Sequence, residues 1–308
     1  MTTITKPHKG PRIPQNGLRT CLEASSNILT VDLEDWFHIC EVETLLPRSA
    51  WDSLSSTVVA DTEILLELLG RHDAQATFFV LGYVAKRHPS LIGRISAQGH
   101  EIAYHGWDHE LVYRLRPDAF RHILRDGVHL IEDLVGTRPN GFRAPQWSIN
   151  DRSLWALEIL AEEGFHYDSS MAPLKFIGNE AYPTEPHRRS TSSGPLLEFP
   201  PLTLWTPWGR YPAAGGWGLR SLPLPVIERA VKGLNRRAVP AVFYVHPREI
   251  GSNRSIRGLP LSKRFVLNGG LWTTRSRIDA MLSAFRFTSV SGYTAARASW
   301  QNPSPSSP

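Results

Sequence analysis

Cysteine is scarce in this chain of 308 residues. Only Cys21 and Cys40 occur, and neither belongs to a Cys-x-x-Cys pair. Disulfide scaffolds and thiolate zinc sites need more cysteines at closer spacing. The sequence therefore argues against a disulfide framework, and we expect two free thiols.

Long apolar runs are also missing. No stretch approaches the roughly 20 apolar residues that a membrane-spanning helix needs, and residues 1–27 lack the apolar core of a signal peptide. We therefore predict a cytoplasmic protein without an integral membrane segment. Peripheral membrane association is the only membrane contact that this leaves open.

Neither sign of charge dominates. Lys and Arg number 34 against 29 Asp and Glu, so the formal net charge is +5. The basic residues are scattered instead of forming a stripe, which argues against a nucleic-acid-binding surface. Hydrophobic residues, in contrast, make up 41% of the chain, enough for a large folded core.

Strand-like and helix-like segments alternate along the sequence. Short apolar runs that predict strands lie at 28–32, 76–81, 102–104, 141–143 and 239–246. Helical spacing of apolar residues occurs at 57–69, 84–98, 117–134, 153–163 and 274–285. This alternation predicts an α/β fold with a parallel sheet or barrel.

Four segments are expected along the chain. They are a polar N-terminal tail at 1–27, a barrel at 28–250, a C-terminal extension packed on the barrel at 251–298, and a disordered tail at 299–308. Residues 171–225, rich in Pro, Gly and Trp, interrupt the alternation. That stretch is either a substrate-shaping insertion or part of a distorted barrel wall.

An acidic cluster of Asp32, Glu34 and Asp35 ends the first predicted strand, and the third runs directly into His105-Gly-Trp-Asp-His109. Catalytic zinc is commonly held by three protein ligands with an open position for water. Two histidines four residues apart and one carboxylate would form such a site, for one divalent ion that we expect to be Zn²⁺. Either Glu34 or Asp35 can supply the carboxylate: Glu34 shares a face with Asp32 if the strand continues, and Asp35 fits if the chain turns.

Five motifs follow one another along the chain. They are Thr30-Val31-Asp32-Leu33-Glu34-Asp35, His105-Gly106-Trp107-Asp108-His109, Arg143-Ala144-Pro145, Tyr167-Asp168-Ser169-Ser170 and Val245-His246-Pro247. As an ordered set they resemble the signature of the NodB-type polysaccharide deacetylases, carbohydrate esterase family 4. Residues 247–290 further resemble the extension of exosortase-associated exopolysaccharide deacetylases.

The resemblance implies a distorted (β/α) barrel of the NodB type with about seven strands. It also implies a metal-dependent hydrolase that removes N-acetyl groups from hexosamine residues. The expected substrate is a polysaccharide or its lipid-linked precursor, in exopolysaccharide biosynthesis.

The same resemblance implies roles for individual residues. Asp32 is the expected general base, and His246 the general acid that protonates the departing amine. Arg143 would pair with Asp32 and keep it ionised, and Asp168 would orient His246. Some relatives space the base and the metal carboxylate two residues apart, which favours Glu34 slightly.

Two features depart from the family pattern: the first motif lacks adjacent aspartates, and Gly106 stands where Ser or Thr is common. Trp36 and Trp147 adjoin the motifs and Pro145 belongs to the third, so these three residues are candidates for substrate contact. A tryptophan is nevertheless more often a core residue.

Two other functions remain open. A hydrolase of this type can act on other non-peptide C–N bonds, in small cyclic amides. A catalytically silent glycan-binding module is the alternative from another class, although a binder needs no acid–base pair such as Asp32 and His246. The expected partner is a polysaccharide or lipid-linked oligosaccharide, and no nucleic acid.

Overall fold

The computed structural model describes residues 26–40, 42, 45–207, 209–251, 256 and 258–297. Nearly all of the two predicted tails, and Cys21, lie outside these ranges. In the described part of the chain, no helix combines the length and the apolar character needed to cross a bilayer.

A single large sheet organises the fold. Its strands and those of a separate hairpin are β1 (Asn27–Leu33), β2 (Thr77–Val80), β3 (Glu101–Tyr104), β4 (Gly141–Phe142), β5 (Tyr167–Asp168), β6 (His187–Thr191), β7 (Gly194–Glu198), β8 (Thr203–Thr206), β9 (Gly209–Pro212), β10 (Val242–Val245) and β11 (Phe287–Thr288). Seven strands run parallel in the order β10-β1-β2-β3-β4-β5-β7. These seven match the expected number, and the sheet adds antiparallel β6 and the C-terminal β11.

Helices form in all five segments that the apolar spacing predicts. The helices are α1 (Val58–Arg71), α2 (Gly82–Arg87), α3 (Pro89–Ala97), α4 (Pro117–Val135), α5 (Trp155–Glu162), α6 (Gly216–Ser221), α7 (Leu224–Asn235), α8 (Leu261–Asn268), α9 (Leu271–Ala284) and α10 (Val290–Ala295). Four of them, α6, α7, α8 and α10, were not predicted. Pro89 starts a new helix because proline lacks an N–H group and fits the first helical turn. α4 ends at Gly136, whose φ of 73° favours glycine.

Both faces of the sheet are buried. Leu29, Val31 and Leu33 of β1 pack in the larger core, whereas Ile28 joins a second cluster that contains Phe79. A parallel sheet covered on both faces leaves the carboxyl ends of its strands as the edge where polar side chains gather. The candidate site lies at that edge.

The stretch 171–225 contributes to the barrel wall. Its hairpin β6–β7 extends the main sheet, and Leu202 N donates to Val242 O of β10 at 3.1 Å while Tyr244 N donates to Ala214 O at 3.0 Å. The predicted C-terminal extension also reaches the sheet, because its β11 pairs with β1.

Candidate metal and catalytic site

Three of the predicted metal ligands converge at the carboxyl edge of the sheet. Glu34 follows β1, and His105 and His109 follow β3. One ligand atom from each lies within 4.8 Å of the others, and His109 Nε2 is 3.1 Å from Glu34 Oε2. Two parallel strands separated only by β2 thus bring together residues that are about 70 positions apart in sequence.

His105 has the tautomer that a metal ligand requires. Its Nδ1 lies 2.7 Å from Arg143 O, and because a carbonyl only accepts hydrogen bonds, Nδ1 carries the proton. The lone pair of Nε2 therefore points into the cluster. Burial lowers the pKa of His105 to about 4, so the ring is neutral at physiological pH.

The loop between the two histidines is conformationally special. Gly106 has a φ of 84° and His109 a φ of 60°, in the left-handed region that most residues avoid. Serine or threonine would be strained at position 106, which accounts for the departure from the family pattern. His109 Nδ1 lies 3.3 Å from Cys40 Sγ, so the thiol supports the ring on the side away from Glu34.

The donor set fits a divalent ion of the zinc type. It combines two imidazole nitrogens with one carboxylate, in a buried setting. Glu34 Oε2 is buried and accepts no well-aligned hydrogen bond from the residues that the structure describes, even though His109 Nε2 is close. A buried carboxylate oxygen in that state is suited to a cation.

The sequence allowed either Glu34 or Asp35 as the metal carboxylate. In the structure Glu34 lies beside the two histidines, whereas Asp35 points towards the start of α1. Asp35 Oδ1 accepts hydrogen bonds from Trp36 N at 3.0 Å and Thr57 N at 3.1 Å, just before α1 begins. Glu34 N donates to Asp32 O at 3.0 Å, so the chain turns directly after β1. Asp35 therefore supports the backbone and lies outside the group formed by Glu34 and the two histidines.

Asp32 and Arg143 form a buried ion pair. Arg143 Nη1 lies 2.7 Å from Asp32 Oδ1 and 2.7 Å from Thr30 Oγ1, and its Nη2 donates to Ser169 Oγ at 2.7 Å. Burial by itself raises the pKa of Asp32. The charges of Arg143, His105 and the nearby His246 outweigh this effect and lower the pKa below its ordinary value, so the carboxylate stays ionised. The roles of Thr30 and Ser169 in holding Arg143 were not predicted.

The free oxygen of Asp32 faces the cluster. Oδ2 lies 4.0 Å from His105 Nε2 and 3.8 Å from His246 Nε2. His246 Nε2 in turn lies 3.1 Å from Glu34 Oε1. The predicted base and the predicted acid therefore flank the predicted metal ligands.

His246 is held by Glu249, a residue that sequence reasoning missed. Glu249 Oε2 lies 3.0 Å from His246 Nδ1 and accepts from the His246 backbone N at 3.2 Å. Burial lowers the pKa of His246, but the charge and hydrogen bond of Glu249 and the contact with Glu34 raise it to about 10. The available signal was the spacing His246-Pro247-Arg248-Glu249, in which a 3₁₀ turn starting at proline brings residue i+3 back to residue i.

The expectation that Asp168 orients His246 is wrong. Ser170 Oγ and, at 3.3 Å, Ser170 N donate to Asp168, and within the described ranges Asp168 makes no hydrogen bond or ion pair to His246. Side chains alternate along a strand, so Asp168 faces away from Ser169, which holds Arg143. Asp168 instead pairs with Glu198, its partner across β5 and β7.

Both members of this buried carboxyl pair hold protons more tightly than usual. Burial raises the pKa of Asp168 to about 6. Burial and the adjacent charge of Asp168 raise the pKa of Glu198 well above its ordinary value. A protonated Glu198 that donates to Asp168 satisfies both groups.

The three candidate substrate contacts differ in position. Trp36 donates its Nε1–H to Ser55 O at 3.0 Å and packs against the core. Pro145 is buried, and Trp147 adopts a φ of 50° and lies edge-on to Tyr244 at 4.6 Å between ring centroids. The Tyr244 ring in turn lies 6.0 Å from the His246 ring, so Trp147 lies near the candidate catalytic residues. Substrate contact by these three residues stays a prediction.

Two family models match successive parts of the chain. Residues 51–165 match the family model "Polysaccharide deacetylase", and residues 169–295 match a model described as a domain of unknown function, DUF3473. His105, His109 and Arg143 lie in the first match, whereas His246 and Glu249 lie in the second. The segment of unknown function therefore completes both the sheet and the candidate site.

Curated relatives resemble part of the chain. A peptidoglycan deacetylase of Helicobacter pylori is 32% identical over 107 residues, which cover 35% of this chain and 36% of that protein. A peptidoglycan-N-acetylglucosamine deacetylase of Bacillus cereus is 32% identical over 98 residues, 32% of this chain and 36% of that protein. The chain thus spans about a third of the length of these two relatives.

A crystal structure of a candidate polysaccharide deacetylase from Mycobacterium smegmatis has the same fold. The TM-score is 0.59 at 23% identity, with 92% of this chain and 95% of that chain covered. The likeness to this structure shows that the fold extends over nearly the whole chain. The family match identifies residues 51–165 as part of a polysaccharide deacetylase domain of the NodB, carbohydrate esterase 4 type.

Proposed function

We propose that this protein is a metal-dependent hydrolase that removes N-acetyl groups from hexosamine residues of a polysaccharide. One observation carries the proposal: an ionised carboxylate, Asp32, and an imidazole held by a second carboxylate, His246, flank a buried group of three metal-ligand side chains. A glycan-binding module has no use for such an arrangement. Amide hydrolysis needs a base, an acid and a Lewis acid at one point.

Glu34, His105 and His109 would hold the ion. When bound, a divalent ion of this kind polarises a carbonyl group and lowers the pKa of a water molecule. The neutral state of His105, enforced by burial and by the Arg143 carbonyl, leaves its nitrogen available for this purpose.

Asp32 and His246 would move the protons of the reaction. Asp32, kept ionised by Arg143, accepts a proton from the water that attacks the acetyl carbonyl carbon. His246, kept protonated by Glu249, donates a proton to the amine nitrogen as the C–N bond breaks. The products are acetate and a free amino sugar.

The finer identity of the substrate is also a proposal. The names of the curated relatives support N-acetylated sugars of the peptidoglycan kind. The resemblance of residues 247–290 to exopolysaccharide deacetylases favours an exopolysaccharide or its lipid-linked precursor. The cytoplasmic location that we predict from the sequence stays a prediction.

The decisive experiment is acetate release by the purified full chain from a panel of substrates, with metal content measured in parallel. The panel contains chitin oligosaccharides, peptidoglycan, an N-acetylated exopolysaccharide and a small cyclic amide. We expect acetate from at least one glycan, loss of release with a chelator and recovery when Zn²⁺ is added back. Hydrolysis of the cyclic amide alone would favour a hydrolase of other C–N bonds. Absence of both bound metal and acetate release would indicate a silent glycan-binding module.

A matched pair of variants tests the ligands. His105→Ala should lose bound zinc and reduce acetate release to the level of the chelated enzyme. His122→Ala removes an exposed histidine from α4 and should change neither quantity. Zinc binding by His105→Ala at wild-type stoichiometry would contradict the assigned site.

A further inference from the structure

Helix α8 exposes apolar side chains in a way that the rest of the surface does not. Among the described residues nine large hydrophobic side chains are exposed, and four of them lie between positions 261 and 272. Leu261 is 78% exposed, Phe265 62%, Val266 47% and Trp272, at the start of α9, 81%. We call these four residues the α8 patch. Soluble surfaces rarely gather large apolar groups without a binding purpose.

The sequence around the α8 patch carries charge of one sign only. Residues 250–278 contain no Asp or Glu, whereas their basic residues are Arg254, Arg257, Lys263, Arg264, Arg275 and Arg277. Arg264 and Arg275 are exposed. A partner that fits this surface must offer an apolar layer and negative charge together.

We propose that the α8 patch docks the protein on the surface of an anionic lipid bilayer. Short amphipathic segments that combine Leu, Phe and Trp with Lys and Arg bind at the boundary between lipid headgroups and acyl chains. Anionic headgroups attract the basic side chains that border such segments. A second copy of the chain fits less well, because a symmetric contact would place the same basic patch against itself.

The structure holds α8 in a fixed orientation with this surface outward. Arg220, which is buried, donates to the carbonyl oxygens of Val266, Leu267 and Gly269 at 2.9–3.1 Å. The ring of Phe265 lies 4.8 Å from that of Trp217 on α6. The patch is therefore presented by an anchored helix, and docking requires no ordering of the described backbone.

The same arginine connects the patch to the candidate site. Arg220 Nη2 lies 3.5 Å from Glu249 Oε1, and Glu249 holds His246. A membrane in contact with α8 would consequently lie close to the catalytic histidine, which suits a substrate attached to a lipid. This consequence for the substrate rests on the proposed function, whereas the docking itself does not.

Vesicle binding tests the proposal independently of catalysis. The full chain is sedimented with vesicles of pure phosphatidylcholine and with vesicles of equal parts phosphatidylcholine and phosphatidylglycerol. We expect binding to the anionic vesicles that weakens with salt, because exposed charges are screened. Leu261→Ser/Trp272→Ser and Arg264→Glu/Arg275→Glu should each reduce the partition coefficient by roughly tenfold or more.

Matched controls separate the patch from general surface effects. Phe176→Ser/Val226→Ser removes two exposed apolar groups elsewhere, and Arg229→Glu/Arg236→Glu reverses two exposed charges elsewhere. Both controls should bind like the wild type, and all four variants should release acetate from a soluble oligosaccharide at the wild-type rate. Normal release without vesicle binding would sink the docking proposal and leave the proposed function intact.

Other outcomes would also overturn the proposal. They are equal binding to neutral and anionic vesicles, patch variants that bind like the wild type, and a dimer in light scattering that disappears only in the patch variants. The last result would identify the patch as a contact between copies of this chain.

Discussion

Two strand-end aspartates of this barrel are equally buried and yet behave in opposite ways. Asp32, near the end of β1, faces Arg143 and has a lowered pKa, whereas Asp168, the last residue of β5, faces Glu198 and has a raised pKa. Burial alone raises the pKa of any carboxyl group, so the partner decides the sign. Of the two aspartates, only Asp32 meets a cation and stays ionised, as the proposed general base requires.

The difference follows from the faces of the sheet. Arg143 projects to the side where Asp32, Thr30 and Ser169 also point, and it satisfies all three. Asp168 immediately precedes Ser169 and points to the other side, where its polar partners are Ser170 and Glu198. A shift of one residue along the strand thus moves a side chain from the side of the sheet that holds Arg143 to the side that holds Glu198.

The largest effect is expected from substitution of Asp32. Asp32→Asn removes the proton acceptor but no metal ligand, so kcat should fall by roughly 10²–10⁴-fold, the usual scale for a positioned base. Zinc content measured on the same sample should remain that of the wild type. Loss of zinc together with activity would instead make Asp32 a ligand.

Glu249, and not Asp168, is expected to set the protonation of His246. Glu249→Gln should lower kcat by roughly 10–100-fold, the scale for carboxylates that orient a histidine. Loss of the negative charge should also lower the pKa of His246, which Glu249 helps to raise to about 10. Because an acid must stay protonated to act, the basic limb of the pH–rate profile should move to lower pH.

Asp168→Asn serves as the contrasting variant in that experiment. Its pH–rate profile should keep the wild-type basic limb, and its kcat should stay close to that of the wild type. Glu249→Asp, which restores the charge on a shorter side chain, should recover part of the lost rate. A basic limb that moves in Asp168→Asn and not in Glu249→Gln would reverse the assignment.

The buried carboxyl pair should show itself in the pH dependence of stability. The folded state keeps protons on Asp168 and Glu198 that the unfolded chain releases above about pH 4. The folded protein therefore becomes less stable as pH rises through about 6 and beyond. Glu198→Gln retains a hydrogen-bond donor without a titrating proton. Relative to the wild type, the free energy of unfolding of this variant should increase by about 1–3 kcal/mol between pH 4 and pH 8, so the variant becomes relatively more stable at high pH.

Urea unfolding at a series of pH values measures this difference. Glu132→Gln, which removes an exposed carboxyl group from α4, is the control and should run parallel to the wild type. An unchanged pH dependence in Glu198→Gln would show that the pair is ionised in the same way in the folded and unfolded chains.

The smallest expected effect concerns Cys40. Cys40→Ala removes the thiol beside His109 Nδ1 and should weaken zinc binding by about tenfold at most, because this group only supports a ligand. Competition with a fluorescent chelator measures the affinity. Cys40→Ser, which keeps a hydrogen-bonding group, should lie between the alanine variant and the wild type. A larger loss than in His105→Ala would make the thiol itself a ligand.

Local patterns in the sequence were enough for much of the fold. The alternation of apolar strands with amphipathic helices predicted a parallel sheet or barrel, and the family resemblance implied about seven strands. Helix α4 begins at Pro117 and ends before Gly136, as its terminal residues indicate. Strands such as β5, β6, β8 and β11 were missed, because the pairing of a short strand depends on distant partners more than on its own composition.

The order of strands and motifs along the chain was enough to predict which residues meet at the carboxyl edge, since parallel strands end there together. In this way Asp32, His105, His109, Arg143 and His246 were identified. Only the tertiary structure decided which side of the sheet each side chain occupies. The direction of the side chains brings Glu34, and not Asp35, to the histidines, and Glu249, and not Asp168, to His246. A turn after a strand or a shift of one residue reverses the direction of a side chain, and neither leaves a clear mark in the sequence.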